Sequence, residues 1–259
     1  MQFVSAGRAQ RGATFPRMDS PVAILAVNNL VVRYPAFTLG PLSCTVCAGE
    51  TVALLGANAA GKTTFLRAIT GRLREREGEI LVSGREPRAA PPAWRARIGF
   101  AAEKPQADGA LRVREWYAFL ADCYPTWDVA YQRELTTRLG LDAGERISAL
   151  SRGTAVKAAY IAAEAYRPDL LVLDEPTNGL DPVVRLDFLA LLGESFANVS
   201  DRALIFSSHL LEDVEALCDR ALLLRGGQLV DEIPGETLTE ARTTGRLTEL
   251  VAHVLRAQA

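Results

Sequence analysis

The sequence predicts an α/β protein, with a largely parallel sheet covered by helices, an antiparallel β lobe and a helical insertion. Three observations carry this. The runs "DLLVLDE" (169–175) and "RALIFSSH" are continuously apolar, as strands buried on both faces are. Each is followed by a helix-patterned stretch, "VVRLDFLALLGESFA" and "LEDVEALCDR", and such alternation builds parallel sheets. The first two strand-like runs follow one another with no helix between, as antiparallel neighbours do.

Taken in order, "AILAVNNLVVRYP" and "FTLGPLSCTV" read as the antiparallel pair, and "ETVALLG" (50–56) as a buried strand. The helix "KTTFLRAIT" comes next and stops at Gly71, a C-terminal glycine signal. "GEILVSG" and "RIGFAAE" are two further strands. From 111 to about 166 the pattern is helical, broken near Pro125, Gly140 and the 144–153 stretch. "ALLLRGGQLVDEI" reads as a hairpin about Gly226-Gly227, and the chain from 236 on is helix-prone and mostly polar.

At 259 residues, 49% hydrophobic and 23% charged, the chain has the size of one large domain, or a domain with a small lobe. A net charge of -2 supplies no basic field for nucleic acid, so no nucleic-acid partner is expected. No run reaches the roughly 18 apolar residues of a membrane span, so any membrane role must come through a partner. The first 17 residues carry Arg8, Arg11 and Arg17 without an acid, and residues 1–20 read as a disordered tail; patterned sequence begins just after Met18. Scattered cysteines suit a reducing cytoplasm. Cys44 and Cys47 form a lone CxxC on a strand, where residues three apart face opposite ways, and read as ordinary strand residues.

Three stretches carry chemistry. In "GANAAGKTT", Gly56, Gly61, Lys62 and Thr63 satisfy G-x-x-x-x-G-K-[ST] between a strand and a helix. Glycines let the backbone wrap phosphate oxygens, and loop amides at a helix N-terminus attract the anion. Lys62 would reach the β- and γ-phosphates of a nucleotide, and the Thr63 hydroxyl would ligate Mg²⁺. "LLVLDEP" ends a buried strand in two acids, where open α/β sheets bind ligands. Asp174 would hold Mg²⁺ through water, and Glu175 would act as general base on the attacking water. His209 closes "IFSSH" at another strand end; a lone histidine is ordinarily structural, but this position points to a γ-phosphate contact. His253 reads as a surface residue.

A fourth stretch, "ISALSRGTAVKAAYIAAEA", opens an apolar helix with Ser151. A serine there is ordinarily an N-cap. The order of all four pieces, over roughly 24–235, resembles the ATP-binding subunit of an ABC transporter, and "LSRGT" then corresponds to that family's signature, usually LSGGQ. The resemblance implies a P-loop NTPase ABC ATPase core with an antiparallel β lobe and an α-helical signature subdomain. It implies two ATPase domains paired head to tail, each signature closing on the γ-phosphate held by the other chain. Ser151 and Gly153 would then serve the partner's nucleotide, by a hydroxyl and an unobstructed amide.

Further positions match one by one. Tyr34 sits where an aromatic ring stacks on adenine. Asn58, Ala60 and Thr64 fall in the phosphate-loop segment. "RIGFAAE" resembles the Q-loop, with Glu103 where glutamine is commoner and still able to ligate Mg²⁺. "TNGLD" resembles the D-loop, with Asp181 as its acid. Ala57 and Ala59 replace the usual Pro and Gly, and Arg152 and Thr154 replace Gly and Gln of the signature. "ADCYPTWD" (121–128), with "LSRGT" and "FSSHLLEDVEALCDR", resembles ATPase subunits of ABC-2-type bacterial exporters; without the resemblance, Tyr124, Pro125 and Trp127 would read as a packed helix-to-helix turn.

The implied protein is a cytoplasmic subunit, peripheral on the membrane's inner face, that binds ATP and Mg²⁺, dimerises with itself or a homologous subunit, and drives a separate permease. The domains expected are 21–235 for the ATPase, with a helical subdomain at about 105–165, and a helical tail over 236–259. Two rivals stand beside this reading. One is a soluble ATPase acting on ribosomes or DNA, opposed by a single cassette and by the lack of a coiled coil between Lys62 and Asp174. The other is a non-catalytic nucleotide-binding subunit, favoured only by the altered signature.

Overall fold

The structure, a computed structural model, describes residues 22–245 apart from 103 and 198. The expectations for Glu103, for His253, for the N-terminal tail and for the end of the C-terminal tail lie outside the described residues.

Strands β1 (Ala23–Tyr34) and β2 (Phe37–Cys47) pair antiparallel, from Ala23↔Cys47 to Tyr34↔Phe37 at the hairpin tip. Strand β4 (Glu77–Val82) pairs antiparallel with the other side of β1, which completes a three-stranded lobe. The main sheet holds β3 (Thr51–Leu55), β5 (Ile98–Ala101), β6 (Leu170–Asp174), β7 (Ala203–Ser208), β8 (Arg220–Arg225) and β9 (Gln228–Ile233), in the order β5-β6-β7-β3-β8-β9. All contacts in it are parallel except the β8–β9 hairpin at one edge. Strands β3, β6 and β7 are buried at every residue, as their unbroken apolar sequences require.

The order of strands places the chemistry. β3 lies next to β7, and β7 next to β6, so their three carboxyl ends are neighbours. Leu55 pairs in register with Ser208, and Ser207 with Asp174. The loop after β3, the acids after β6 and the histidine after β7 thus emerge side by side at one sheet edge. Helix α1 (Lys62–Ile69) follows β3 directly.

The insertion holds α2 (Val113–Cys123), α3 (Val129–Arg138) and α4 (Arg152–Glu164). Helix α4 is buried on nearly every side from Ala155 to Glu164, packed on β5, α2 and α3, which explains its alanine-rich, stripe-free sequence. Its last turn is tied to the core by an ion pair, Glu164 Oε2 to Arg202 at 2.6 Å, with the Tyr131 hydroxyl donating to Glu164 Oε1 at 3.2 Å. Burial pushes the Glu164 carboxyl up and Arg202 opposes that shift. The "CYPTWD" stretch is a packed turn: Tyr124 stacks on Tyr166 with ring centroids 4.2 Å apart, and the Thr126 hydroxyl donates to the Tyr166 carbonyl.

Helices α5 (Pro182–Phe196) and α6 (Leu211–Leu217) cover the sheet after β6 and β7. Helix α7 (Gly235–Thr244) buries Leu238 and Ala241 in the core beside Ile233, so the polar C-terminal segment is anchored at least over its first turns. Cys44 is an inert strand residue whose thiol is pushed up to about 12 by burial. Among the described residues no cluster of three or more His, Cys, Asp or Glu could hold a metal by itself. No helix among them is long and apolar enough to cross a membrane.

Candidate nucleotide site

The loop between β3 and α1 curls over the helix N-terminus. Gly61 is the N-cap residue at φ 107, a left-handed conformation, and a Cβ there would stand 2.8 Å from Leu39 Cδ1 and 2.9 Å from the Phe37 ring. Only glycine fits both the angle and the space. Ala59 also holds positive φ, at 64. This is where the family more often has glycine, and an alanine there accepts strain of about 1–2 kcal/mol. The loop surrounds a cleft lined by Asn58, Ala59, Ala60, Gly61, Lys62, Thr63 and Thr64, with Tyr34, Ala36 and Phe37 from the β lobe and Glu175 and Asn178 from beyond β6. Tyr34 is 44% exposed at the lobe's tip, its ring available at the cleft mouth.

Lys62 is only 6% exposed. Its Nζ donates to the carbonyl of Gly56 at 2.7 Å and meets Glu175 Oε1 at 3.0 Å. The other Glu175 oxygen, Oε2, lies 2.8 Å from His209 Nδ1. One carboxylate is therefore held between an ammonium and an imidazole. Glu175 also has φ 50, unusual for a residue with a side chain, and such strain recurs where geometry serves a site.

Ser207 is the device that sets the acids. Its hydroxyl accepts from the Glu175 amide at 2.8 Å and donates to Asp174 Oδ1 at 2.8 Å. The Thr63 hydroxyl donates to the same Asp174 oxygen at 3.2 Å. Two oxygen donors thus converge from α1 and β6, the ligand chemistry of a hard cation such as Mg²⁺. Ser207 was visible only as the first serine of "SSH"; nothing in its spacing distinguished it from a strand residue. Ala36, Phe37 and Asn178 were equally unannounced, although two of them adjoin Tyr34.

The expected site residues fall into two groups. Tyr34, Gly56, Asn58, Ala60, Gly61, Lys62, Thr63, Thr64, Asp174, Glu175 and His209 come together at the cleft or one contact behind it. Ser151, Gly153 and Asp181 are not part of this cleft's lining. Ser151 caps α4: its hydroxyl accepts from the Thr154 amide at 3.2 Å, and the residue is exposed. Asp181 caps α5, accepting from the amides of Val183 and Val184 at 3.1 Å. The signature does meet the loop that ends in Asp181. A Cβ on Gly179, at φ 80, would stand 2.3 Å from Arg152 Cδ, so the glycine makes room for the arginine that departs from the family pattern. Leu180 lies against Gly153.

A glycine-turned phosphate loop, a buried lysine and two consecutive acids at the carboxyl end of one parallel strand define a nucleotide-binding cassette. Comparison with known proteins identifies which one. A model of the ABC transporter family matches residues 39–178. The chain is 33% identical over 199 residues to the ABC transporter ATP-binding protein YdbJ of Bacillus subtilis (strain 168), a match covering 75% of this chain and 64% of YdbJ. It is 32% identical over 224 residues to the Nod factor export ATP-binding protein I of Rhizobium leguminosarum bv. viciae, covering 82% of this chain and 70% of that protein. A solved ATP-binding subunit of an ABC transporter superposes with TM-score 0.76 at 27% identity, covering 90% of this chain and all of that one. The chain belongs to the ABC transporter family as an ATP-binding subunit, with export-type relatives.

Proposed function

We propose that this chain hydrolyses MgATP in a head-to-tail dimer of ATP-binding subunits and drives a separate membrane permease, in the direction of export. The observation that carries the reading is the Glu175 carboxylate, held 3.0 Å from Lys62 and 2.8 Å from His209 at the rim of the phosphate loop. In this reading Tyr34 stacks on the adenine, and the loop amides from Asn58 to Thr64 bind the phosphates. Lys62 exchanges Glu175 for the β- and γ-phosphates. Thr63 and Asp174 would hold Mg²⁺, which neutralises phosphate charge when bound. Glu175, released from Lys62, takes the proton of the water that attacks in line with the leaving oxygen. His209 orients Glu175 and contacts the γ-phosphate.

The second half of each site comes from the other subunit, through Ser151, Gly153 and the loop ending at Asp181. That these residues lie outside the cleft of their own chain supports the head-to-tail arrangement. The relatives' names support export, and the sequence of the helical insertion agrees. Membrane attachment on the cytoplasmic face follows from the permease alone. Its docking place in this reading is the groove lined by Phe100, Trp116, Leu120 and Tyr124 and rimmed by Arg72 and Lys104. The proposed division is an ATPase domain over 21–235, the helical subdomain within it, and a C-terminal helical segment docked by Leu238.

The test is phosphate release by the purified chain. Turnover that requires both ATP and magnesium, and that stops on chelation, is the expected result. Tight ATP binding without phosphate release, alone or with the co-expressed permease, would make this a non-catalytic subunit and overturn the proposal.

A further inference from the structure

Asp213 is fully buried on α6, yet it belongs to no part of the cleft's lining. An ionised carboxylate is unfavourable in such a place unless it is paired and hydrogen-bonded. Here both of its oxygens are engaged. Oδ2 accepts from the hydroxyls of Thr177 at 2.7 Å and Ser208 at 2.6 Å, and Oδ1 accepts from Arg185 Nε at 2.8 Å. These partners come from the loop after β6, the end of β7 and the first turn of α5.

The partners are not a random sample of the core. Ser208 adjoins His209, and its oxygen also accepts from the Leu210 amide at 3.0 Å. The bend that presents His209 therefore hangs on the Ser208 hydroxyl, and that hydroxyl hangs on Asp213. Thr177 opens the loop that continues through Gly179 and Leu180, which touch Arg152 and Gly153 of the signature. Arg185 fixes the helix that this loop enters. Asp213 is the common partner of the segment that carries His209 and the segment that touches the signature.

We infer that Asp213 is a positioning residue that locks the His209 bend and the Thr177–Asp181 loop into one unit, so that contact of His209 with the γ-phosphate is transmitted to the face that meets the second subunit. This rests on the roles given above to His209 and to the dimer. The inference adds the physical link between them, carried by one buried carboxylate rather than by the nucleotide itself.

The experiment uses the full chain and three variants: Asp213→Ala, Thr177→Val and Asp213→Asn. Thr177→Val cuts one arm while leaving the Asp213–Arg185 pair intact, so it carries the test even if Asp213→Ala fails to fold. Asp213→Asn is the rescue, because its amide oxygen can accept from Arg185 while its NH₂ donates to the two hydroxyls. For Asp213→Ala and Thr177→Val, kcat should fall about 10- to 100-fold, the worth of a charge-assisted hydrogen bond lost from the arrangement, with Kd for ATP within about twofold of the parent. Asp213→Asn should recover most of that loss. Hydrogen exchange gives the reading that a merely structural role would not move. In the parent, a non-hydrolysable ATP analogue should protect 176–185 and 206–212 together; in Asp213→Ala and Thr177→Val it should protect 206–212 alone. Joint protection in Thr177→Val with parent-level kcat would overturn the inference, as would kcat, ATP affinity and Tm falling in parallel in all three variants. His209→Ala is the control: unaltered kcat there would remove the role given to His209, while the exchange comparison would still decide whether Asp213 joins the two segments.

Discussion

Glu175→Gln is expected to bind ATP at least as tightly as the parent chain and to hydrolyse it about 10²–10⁴-fold more slowly, the usual contribution of a general base. The amide keeps the shape of the side chain and its contact with His209 but cannot take a proton. It also withdraws the negative charge that stands 3.0 Å from Lys62 Nζ. The lysine is then free for phosphate, and a like charge is removed from beside the γ-phosphate. Both effects favour the ATP-bound state, so ATP should hold the variant as a stable dimer. Single-turnover hydrolysis and size-exclusion elution with ATP read the two consequences separately. Near-parent turnover would remove Glu175 from the role of base.

Lys62→Ala acts on the earlier step. A charge-assisted contact to phosphate is worth about 1.5–3 kcal/mol, or roughly 10- to 150-fold in affinity. The structure adds a second consequence. Lys62 also donates to the carbonyls of Gly56 and Ala57, at 2.7 and 3.3 Å, and so helps to hold the loop closed on itself. Its removal loosens the loop and leaves Glu175, 16% exposed, without its cation. Titration with a fluorescent ATP analogue should show the weakened Kd directly. An unchanged Kd would mean that the phosphate-loop reading is wrong.

Much of the site could be read from the sequence because its parts are tied to local pattern. The phosphate loop needs a strand, glycines and a helix start in fixed order, and "GANAAGKTT" displays them. Asp174, Glu175 and His209 stand at the ends of apolar runs whose burial was plain from composition. What could not be read was anything set by the order of strands. That β4 joins the lobe and that β7 lies between β3 and β6 are long-range pairings, and no local signal states them. Ser207 and Asp213 owe their roles to those pairings. Each looked like an ordinary strand or helix residue until the neighbouring strand end was in place. Arg152 is a similar case: the packing of its stem over Gly179 is set by the fold and has no local signal.

The central claim is that each site is completed by the signature of a second subunit. It is tested by mixing a Ser151→Arg chain with a Lys62→Ala chain, in the presence of magnesium and a non-hydrolysable ATP analogue, and reading dimer formation by size exclusion. The mixed dimer has one composite site with an intact phosphate loop and an intact signature; each homodimer is defective at both. The account predicts that the mixture closes and that neither variant closes alone. If Ser151 served only as the N-cap of α4, Ser151→Arg would cost about 0.5–2 kcal/mol of stability and little else. Closure of the Ser151→Arg homodimer on the analogue would contradict the account.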